Sequence, residues 1–437
     1  MARRVHFILL LLLLAYHVLN SAIVVAQLNY QIIYEYVMPI EIRDVSGRDW
    51  KNKTILIELN STNFRDWDLL SYDGSNIYVT DKDGNPLYFW IDIFDKHNRK
   101  AFIYVKLPYL PANSSTTIYL HYGVVTHKYR EYNNPAMVFD WLDDFETGIG
   151  IPKGWQHYGP TTYGLAGWVD SDVAFHGKFA LEKFSYDDQA GIYRPLGFTL
   201  NETFVLEAWI YRSRIKHGYS DRIGVVDDNG NGYGIAIVHT RHDHSDRGEA
   251  AYAYVYSTSL TSYGVSVSCT KTGMLAIDVR NNWLANTYAN TPLLHDPYQE
   301  WYLARLIWYS NGRIVAEVYD VGGNLLGRIE YTDTRYNTFT SVYIFGDSIY
   351  YVDLIRVWQA IDPYPEIVFR DSFIVPVKVQ VKWMTPITVV ERGGVDLYNY
   401  AVRIELNSTN FDGWDHVQQI SQTCTSWMRV VNHSTIG

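Results

Sequence analysis

From about residue 30 onward, apolar and polar positions alternate in short runs. Examples are Thr54-Ile55-Leu56-Ile57-Glu58-Leu59 and Ala101-Phe102-Ile103-Tyr104-Val105-Lys106-Leu107. Successive side chains of a strand leave on opposite faces, so runs of this kind predict strands with one face in a core. Turn words such as Asp83-Gly84-Asn85-Pro86 and Asn229-Gly230-Asn231-Gly232 separate the runs. Many short strands at this spacing predict an all-β chain of packed sandwiches, with few helices.

The first 26 residues break the pattern. Met1-Ala2-Arg3-Arg4 is basic, Phe7 to Leu14 is a nearly unbroken apolar run, and Ser21, Ala22 and Ala26 are small. This layout predicts a secretory signal peptide over 1–26, cleaved between Ala26 and Gln27. The alternative is an uncleaved anchor helix, because Ile8 to Val25 is nearly long enough to span a bilayer; His17, Asn20 and Ser21 weaken it. Either route exports the remainder, so the expected location is extracellular, at the cell surface. The membrane enters only through this segment, if it is retained.

One module recurs. Glu58-Leu59-Asn60-Ser61-Thr62-Asn63-Phe64 returns as Glu405-Leu406-Asn407-Ser408-Thr409-Asn410-Phe411, Pro39-Ile40 as Pro386-Ile387, and Trp67-Asp68 as Trp414-Asp415, each 347 residues on. A constant offset without gaps marks two copies of one module around a different central one. The expected segments are 27–130 for the first β-sandwich module, 138–362 for the central module and 377–417 for the start of the second copy. The tail, 418–437, loses strand alternation. Permitted codons for Thr423 to Gly437, read two bases out of frame, restore the counterparts of Asp81, Gly84, Pro86, Leu87, Tyr88 and Trp90. A frameshift is the expectation there.

Composition sharpens the picture in three places. Aromatics make up 16% of the chain, with 37 Tyr and 14 Trp. They serve as strand filler in large β proteins and also as wet binding surfaces, and both readings stand. The formal charge is −10, and without a basic stripe nucleic acid is excluded as a partner. Two cysteines, Cys269 and Cys424, make no disulfide framework, so hydrophobic cores must supply the stability.

Residues 30–125 resemble the domain of unknown function 2341, a module of archaeal and bacterial surface proteins. The resemblance rests on Asp73-Gly74-Ser75-Asn76-Ile77-Tyr78-Val79-Thr80-Asp81, Leu87-Tyr88-Phe89-Trp90-Ile91, Tyr104-Val105-Lys106-Leu107-Pro108, and the stretch from Asn113 to Gly123. It carries no activity with it. Residues 138–362 resemble a concanavalin A-like, laminin-G-type jelly roll. The matching words are Phe139 to Glu146, Phe204-Val205-Leu206-Glu207-Ala208-Trp209-Ile210-Tyr211, Gly232 to Ile237, and Tyr351 to Trp358. That fold hosts lectins, adhesion modules and some glycoside hydrolases, so it does not fix a function.

Reactive chemistry is sparse. Retaining hydrolases need two close carboxylates, and the Glu-x-Asp-x-x-Glu spacing of jelly-roll hydrolases is missing. Glu207 stands alone and reads as structural. Asp227-Asp228-Asn229-Gly230-Asn231 and Asp81-Lys82-Asp83-Gly84-Asn85 offer hard oxygen ligands. Asp227, Asp228, Asn229 and Asn231, with Asp81, Asp83 and Asn85, are therefore candidate ligands of a structural calcium. The competing reading is an ordinary turn, since neither loop has the downstream Glu of an EF-hand. No cofactor is required. His239, His242 and His244 could grip zinc, against the plainer reading of solvated loop histidines. Sequons at Asn52, Asn60, Asn113, Asn201 and Asn407, with Asn432 in the tail, are candidate glycan acceptors on an exported chain.

The resulting expectation is a non-catalytic, exported surface protein that binds glycans or cell-envelope components through the central jelly roll. One alternative is a structural component of an envelope layer or filament. A second is a glycoside hydrolase of the jelly-roll type. An aromatic platform on the central domain would favour sugar binding; two acids facing each other across a cleft would favour hydrolysis.

Overall fold

A computed structural model describes residues 30–380, apart from 124–126, 160–166, 172, 184–189, 213–219, 239–273, 296–298 and 347–348. The chain divides into two units, Met1–Gln380 and Val381–Gly437. The second unit, the leader, the three histidines and both cysteines lie outside the described residues.

The first module contributes β1 (Tyr30–Arg43), β2 (Trp50–Asn60), β3 (Tyr78–Thr80), β4 (Phe89–Asp95), β5 (Lys100–Leu110) and β6 (Ser115–Tyr122). A short helical link, with 3-10 turns at His127–Tyr132 and a helix at Pro135–Val138, leads to the central module. Among the described residues fifteen strands follow there. They are β7 (Trp141–Asp143), β8 (Gln156–Tyr158), β9 (Gly167–Asp170), β10 (Ala180–Lys183), β11 (Gly191–Leu200), β12 (Phe204–Arg212), β13 (Ser220–Val226) and β14 (Gly232–Val238). The remainder are β15 (Met274–Asn281), β16 (Leu284–Pro292), β17 (Trp301–Trp308), β18 (Arg313–Asp320), β19 (Leu325–Thr332), β20 (Phe339–Gly346) and β21 (Tyr350–Gln359). Two more strands, β22 (Glu366–Phe369) and β23 (Phe373–Gln380), come after it.

These strands form four sheets. Sheet I runs β22-β1-β6-β3, with β23 also on β1, and sheet II runs β2-β5-β4. Sheet III runs β19-β18-β17-β12-β21-β10-β9, with β7 on β21, and sheet IV runs β16-β15-β14-β13-β20-β11-β8. Sheets I and II enclose one core, which includes Met38, Ile40, Ile42, Ile55, Ile57, Ile103, Val105 and Leu120. Sheets III and IV enclose a larger one, which includes Leu206, Ile210, Ile223, Ile235, Ile277, Leu306, Val342 and Ile355. Both are sandwiches, and the protein is all-β as its alternation predicts.

The first sandwich does not end where its sequence resemblance ends. β22 and β23, beyond the jelly roll, pair antiparallel with β1: Ile42 faces Ile367 and Tyr34 faces Pro376. Ile361 also enters the first core. The jelly roll is thus inserted between strands of a single sheet, a connection no linear segmentation shows.

The two sandwiches share a wall. The outer face of sheet II packs on the outer face of sheet III, with Trp90, Ile93, Phe102 and Tyr104 meeting Val205, Trp209, Leu303, Leu354 and Trp358. This explains why β5 and β12 are buried on both faces along most of their length. The described part is a stack of four sheets.

Candidate functional site: the outer face of sheet III

Alternation along β12 sends Phe204, Leu206, Ala208 and Ile210 inward and Val205, Glu207, Trp209 and Tyr211 outward. The same rule applied to β17 and β21 divides the outward face in two. One half is consumed by sheet II. The other half is lined with aromatic rings.

The consumed half is built around Glu207, which is fully buried. Tyr104 Oη donates to both its carboxylate oxygens at 2.9 and 2.8 Å. Arg305 Nε donates to Oε1, and Arg356 Nε to Oε2 at 2.8 Å. Arg356 then reaches into the first module and clasps Asp92 at 3.0 and 2.6 Å. Trp209 Nε1 also donates to Asp92, at 3.1 Å. Burial alone would raise the Glu207 carboxyl; Arg305 and Arg356 outweigh it and hold the group below its usual range. Glu207 is therefore an ionised interface anchor, and the second carboxylate beside it, Asp92, is tied to it through the Arg356 guanidinium that both share.

The half beyond sheet II carries a row of side chains in lateral register across five strands. Trp301 of β17 faces Tyr211 of β12, Tyr211 faces Tyr351 of β21, Tyr351 faces Glu182 of β10, and Glu182 faces Trp168 of β9. Ring centroids lie 5.4 Å apart for Tyr211 and Trp301, and 6.2 Å apart for Tyr211 and Tyr351. Trp168 is 37% exposed, Trp301, Tyr211 and Glu182 are half-buried, and Tyr351 is buried. Phe175 borders the row on the module side, stacked on Trp209 at 3.9 Å and edge-on to Trp301 at 5.5 Å. Neighbouring strands lie ~4.8 Å apart, so the row is about 19 Å long.

Sheet IV carries a second polar–aromatic cluster. Asp278 accepts from Arg222 at 2.8 Å, from Arg280 at 3.1 Å and from Tyr343 at 2.7 Å. Burial pushes its carboxyl up, and Arg280 and Arg222 bring it below the usual range. Beside it Trp283 stacks on Tyr158 at 4.5 Å. Trp283 has φ 67°, a region bulky residues rarely enter. It sits on Gly230, where an added Cβ would come within 2.3 Å of the indole; glycine, at φ 75°, is what fits.

That glycine belongs to the Asp227 loop, so the structure brings Asp227, Asp228, Asn229 and Asn231 to the edge of the Trp283 cluster. The Asp227 carboxylate closes its own turn, accepting from the Asn229 and Asn231 amides at 2.9 and 2.8 Å and from Asn231 Nδ2 at 3.0 Å. Asp228 accepts from Thr340 at 2.6 Å. In the first module, Asp81 repeats the clasp on the Asp83 and Asn85 amides, both at 2.9 Å. Among the described residues no three His, Cys, Asp or Glu side chains gather as metal ligands. No described helix is long and apolar enough to cross a membrane.

Of the sequons, Asn52, Asn113 and Asn201 are exposed and Asn60 is half-buried; Asn407 lies outside the described residues. Asn52 and Asn113 occupy left-handed turns at φ 52°. Asn52 also lines a shallow depression of about 300 Å³ with Lys51, Lys53, Asp140, Phe198 and Gln359. The aromatic row itself is not legible in the sequence. Its members sit at outward positions of legible strands, but the register that aligns five distant strands is not written in any one of them.

The architecture defines a class: a jelly roll mounted on a smaller β-sandwich, with an aromatic row on the part of its outer face that sheet II does not cover. Comparison with known families agrees on the smaller module. The profile described as "Domain of unknown function (DUF2341)" matches residues 73–157, starting later than the resemblance above and running on into β8. An uncharacterised protein of Methanocaldococcus jannaschii is 32% identical over 227 residues, which is 51% of this chain and 19% of that protein. The chain thus spans about a fifth of the length of this relative. Among solved structures, the protein titled "Cellulose induced protein, Cip1" matches at 14% identity and TM-score 0.32, over 50% of this chain and 97% of that one. The carbohydrate binding module CBM66 from Bacillus subtilis matches at 10% and 0.28, over 47% and 95%. An endo-β-1,4-glucuronan lyase from Trichoderma reesei matches at 12% and 0.31, over 52% and 98%.

Proposed function

We propose that the protein is an exported, non-catalytic surface protein that binds glycans, with the jelly roll as its recognition domain and the first sandwich as its mount. One observation carries this reading: beyond the part that the mount covers, the outer face of sheet III carries the partly exposed rings of Trp168, Tyr211 and Trp301 in lateral register with the buried Tyr351 and with Glu182. Flat aromatic faces with polar edges pack on the C–H faces of sugar rings while hydroxyls stay wet. A hydrolytic reading asks for two acids facing a substrate; Glu207 and Asp92 are instead bridged by Arg356, with Arg305 on Glu207, inside the wall between the two modules.

The test is retention on immobilised polysaccharides and a glycan array, using the protein as it exists. The expected result is binding to at least one glycan class, lowered about tenfold or more in Trp301→Ala, the size of a central hot-spot residue. No retention on any glycan overturns the reading. The reading does not call for calcium; Asp227 and Asp81 close their own turns, while Asp228 accepts from Thr340 and Asp83 from Lys82. Heat on Ca²⁺ titration that vanishes in Asp227→Asn would assign the ion to that loop. On the native exported chain, glycans are proposed at the exposed Asn52, Asn113 and Asn201, read by intact mass.

A second reading, as an envelope-layer component, is favoured by exposed apolar side chains on the β1–β23 ribbon. Tyr34, Phe373 and Ile374 are 59%, 47% and 55% exposed there. Sedimentation that finds only monomers at high concentration removes it.

A further inference from the structure

We infer that the depression beside Asn52 is the seat of the first sugar of a glycan carried by that residue, and that the glycan is attached before the two modules dock. This rests on the exported reading above and not on the aromatic row; it gives the Asn52 site a place and a time.

The place follows from the walls of the depression. Asn52 stands in β2 between the pairs Lys51–Tyr109 and Lys53–Leu107. Its φ of 52° interrupts the alternation of the strand, and Lys51 and Asn52 are exposed in succession. The depression it lines holds about 300 Å³, the small end of ligand sites and room for a sugar ring. The jelly roll contributes Phe198 and Gln359 to the lining. Phe198 is half-buried and follows Gly197, φ 82°, where β11 shifts register on β20 between Pro195 and Leu200. An aromatic ring takes the C–H face of a sugar. The charges around it are already matched. Lys53 lies 3.6 Å from Glu202 and donates to Gln359 at 3.2 Å. Lys106 pairs with Asp140 at 2.7 Å, and Asp140 also accepts the Gln359 amide at 2.8 Å. The lining therefore suits the hydroxyls of a neutral sugar. Tethering at Asn52 keeps the local concentration of that sugar high, so a shallow seat is enough.

The time follows from Thr54. A sequon is defined by the hydroxyl two residues after its asparagine, and the transferase must reach that hydroxyl. Thr54 is 1% exposed and donates to the Val138 carbonyl at 2.5 Å. Val138 is itself buried in the wall between sheets II and III. Docking of the modules thus closes the sequon. Before docking, Asn52 Nδ2 forms a bond to the anomeric carbon of a lipid-phosphate-linked sugar. The bond from that carbon to the phosphate oxygen breaks, the phosphate keeps the electron pair, and Nδ2 gives up one proton. Asn113 differs: its Ser115 is exposed in the folded chain, so that sequon stays open.

The experiment compares the full chain exported by a host that holds the transferase with the full chain made without it. Peptide mass spectrometry is expected to find sugar on Asn52 of the exported chain. The folded bare chain, given transferase and lipid-linked donor, is expected to accept sugar at Asn113 at least tenfold faster than at Asn52. Arg356→Ala, which loosens the wall, is expected to raise transfer at Asn52 fivefold or more and to leave Asn113 unchanged. The bare chain and exported Asn52→Gln are expected to melt about 2 °C below the exported wild type. Phe198→Ala is expected to erase that difference between exported and bare chains, so a general loss of stability, equal in both, is told apart from loss of the seat. An unmodified Asn52 beside a modified Asn113 overturns the inference while export stands. Equal transfer to both sites of the folded chain overturns it, as does an equal effect of Phe198→Ala on the exported and bare chains. A chain that stays inside its native host removes the inference together with the exported reading.

Discussion

Asp353 sits where a β-bulge between Glu207 and Trp209 meets β21, and the next residue, Leu354, has φ 46°. Its carboxylate accepts the amides of Phe175 and His176, both at 2.9 Å, and of Leu354 at 2.7 Å. Those three bonds favour the ionised form, yet burial outweighs them and pushes the group up to about 7, with Glu146 adding repulsion. The ordinary value is 3.8. Between the two, the folded chain holds a proton that the unfolded chain has lost. Stability therefore falls as pH rises through this window and is level above it. Asp353→Asn removes the charge and keeps an acceptor for the Phe175–His176 amides. In a chelator-containing buffer it is expected to raise the melting temperature at pH 8 by about 5 °C and to change it little at pH 5. Scanning calorimetry at the two pH values checks this, and an equal shift at both would contradict the assignment.

At the scale of elements, β12 shows what periodicity reveals and what it hides. Its inward set, Phe204, Leu206, Ala208 and Ile210, follows from alternation alone. Its outward set, Val205, Glu207, Trp209 and Tyr211, follows too, but not the fact that most of it is buried, because the covering partner is sheet II, over a hundred residues upstream. For the same reason Glu207 stands alone in the sequence, and its partners Arg305, Arg356 and Tyr104 are invisible until the strands are registered. The turn chemistry of Asp81 and Asp227 is legible because Asx clasps are local. The aromatic row is not, because it exists only as a lateral alignment. The interface network gives a sharp test. Arg356→Ala leaves Asp92 and Glu207 buried with fewer partners, a loss of roughly 3–5 kcal/mol. Denaturant titration should find a stability drop of that order. A drop below about 1 kcal/mol would mean the pair is wet and weak.

Across the whole described unit, the two sandwiches are bound twice, through the wall between sheets II and III and through β22 and β23 on β1. Elements that share a core and a sheet unfold together. Wild type is expected to show one cooperative transition by both near-UV and far-UV signals. Ile361 follows the last jelly-roll strand but is 2% exposed in the first core. Ile361→Ala is expected to cost about 2–4 kcal/mol and to lower that same single transition. A biphasic profile in which only the jelly roll responds would refute the shared core.

The insertion of one sandwich into a sheet of another sets an order of manufacture. The ion pair between Arg43 and Glu366 joins residues 323 apart. β1 leaves the ribosome long before its late neighbours exist, and distant pairings of this kind form slowly. Until then the nascent chain carries a bare strand with unpaired amides and carbonyls, the sort of edge that recruits foreign strands. The first sandwich is begun first and finished last, with that edge of β1 open while the jelly roll is being made.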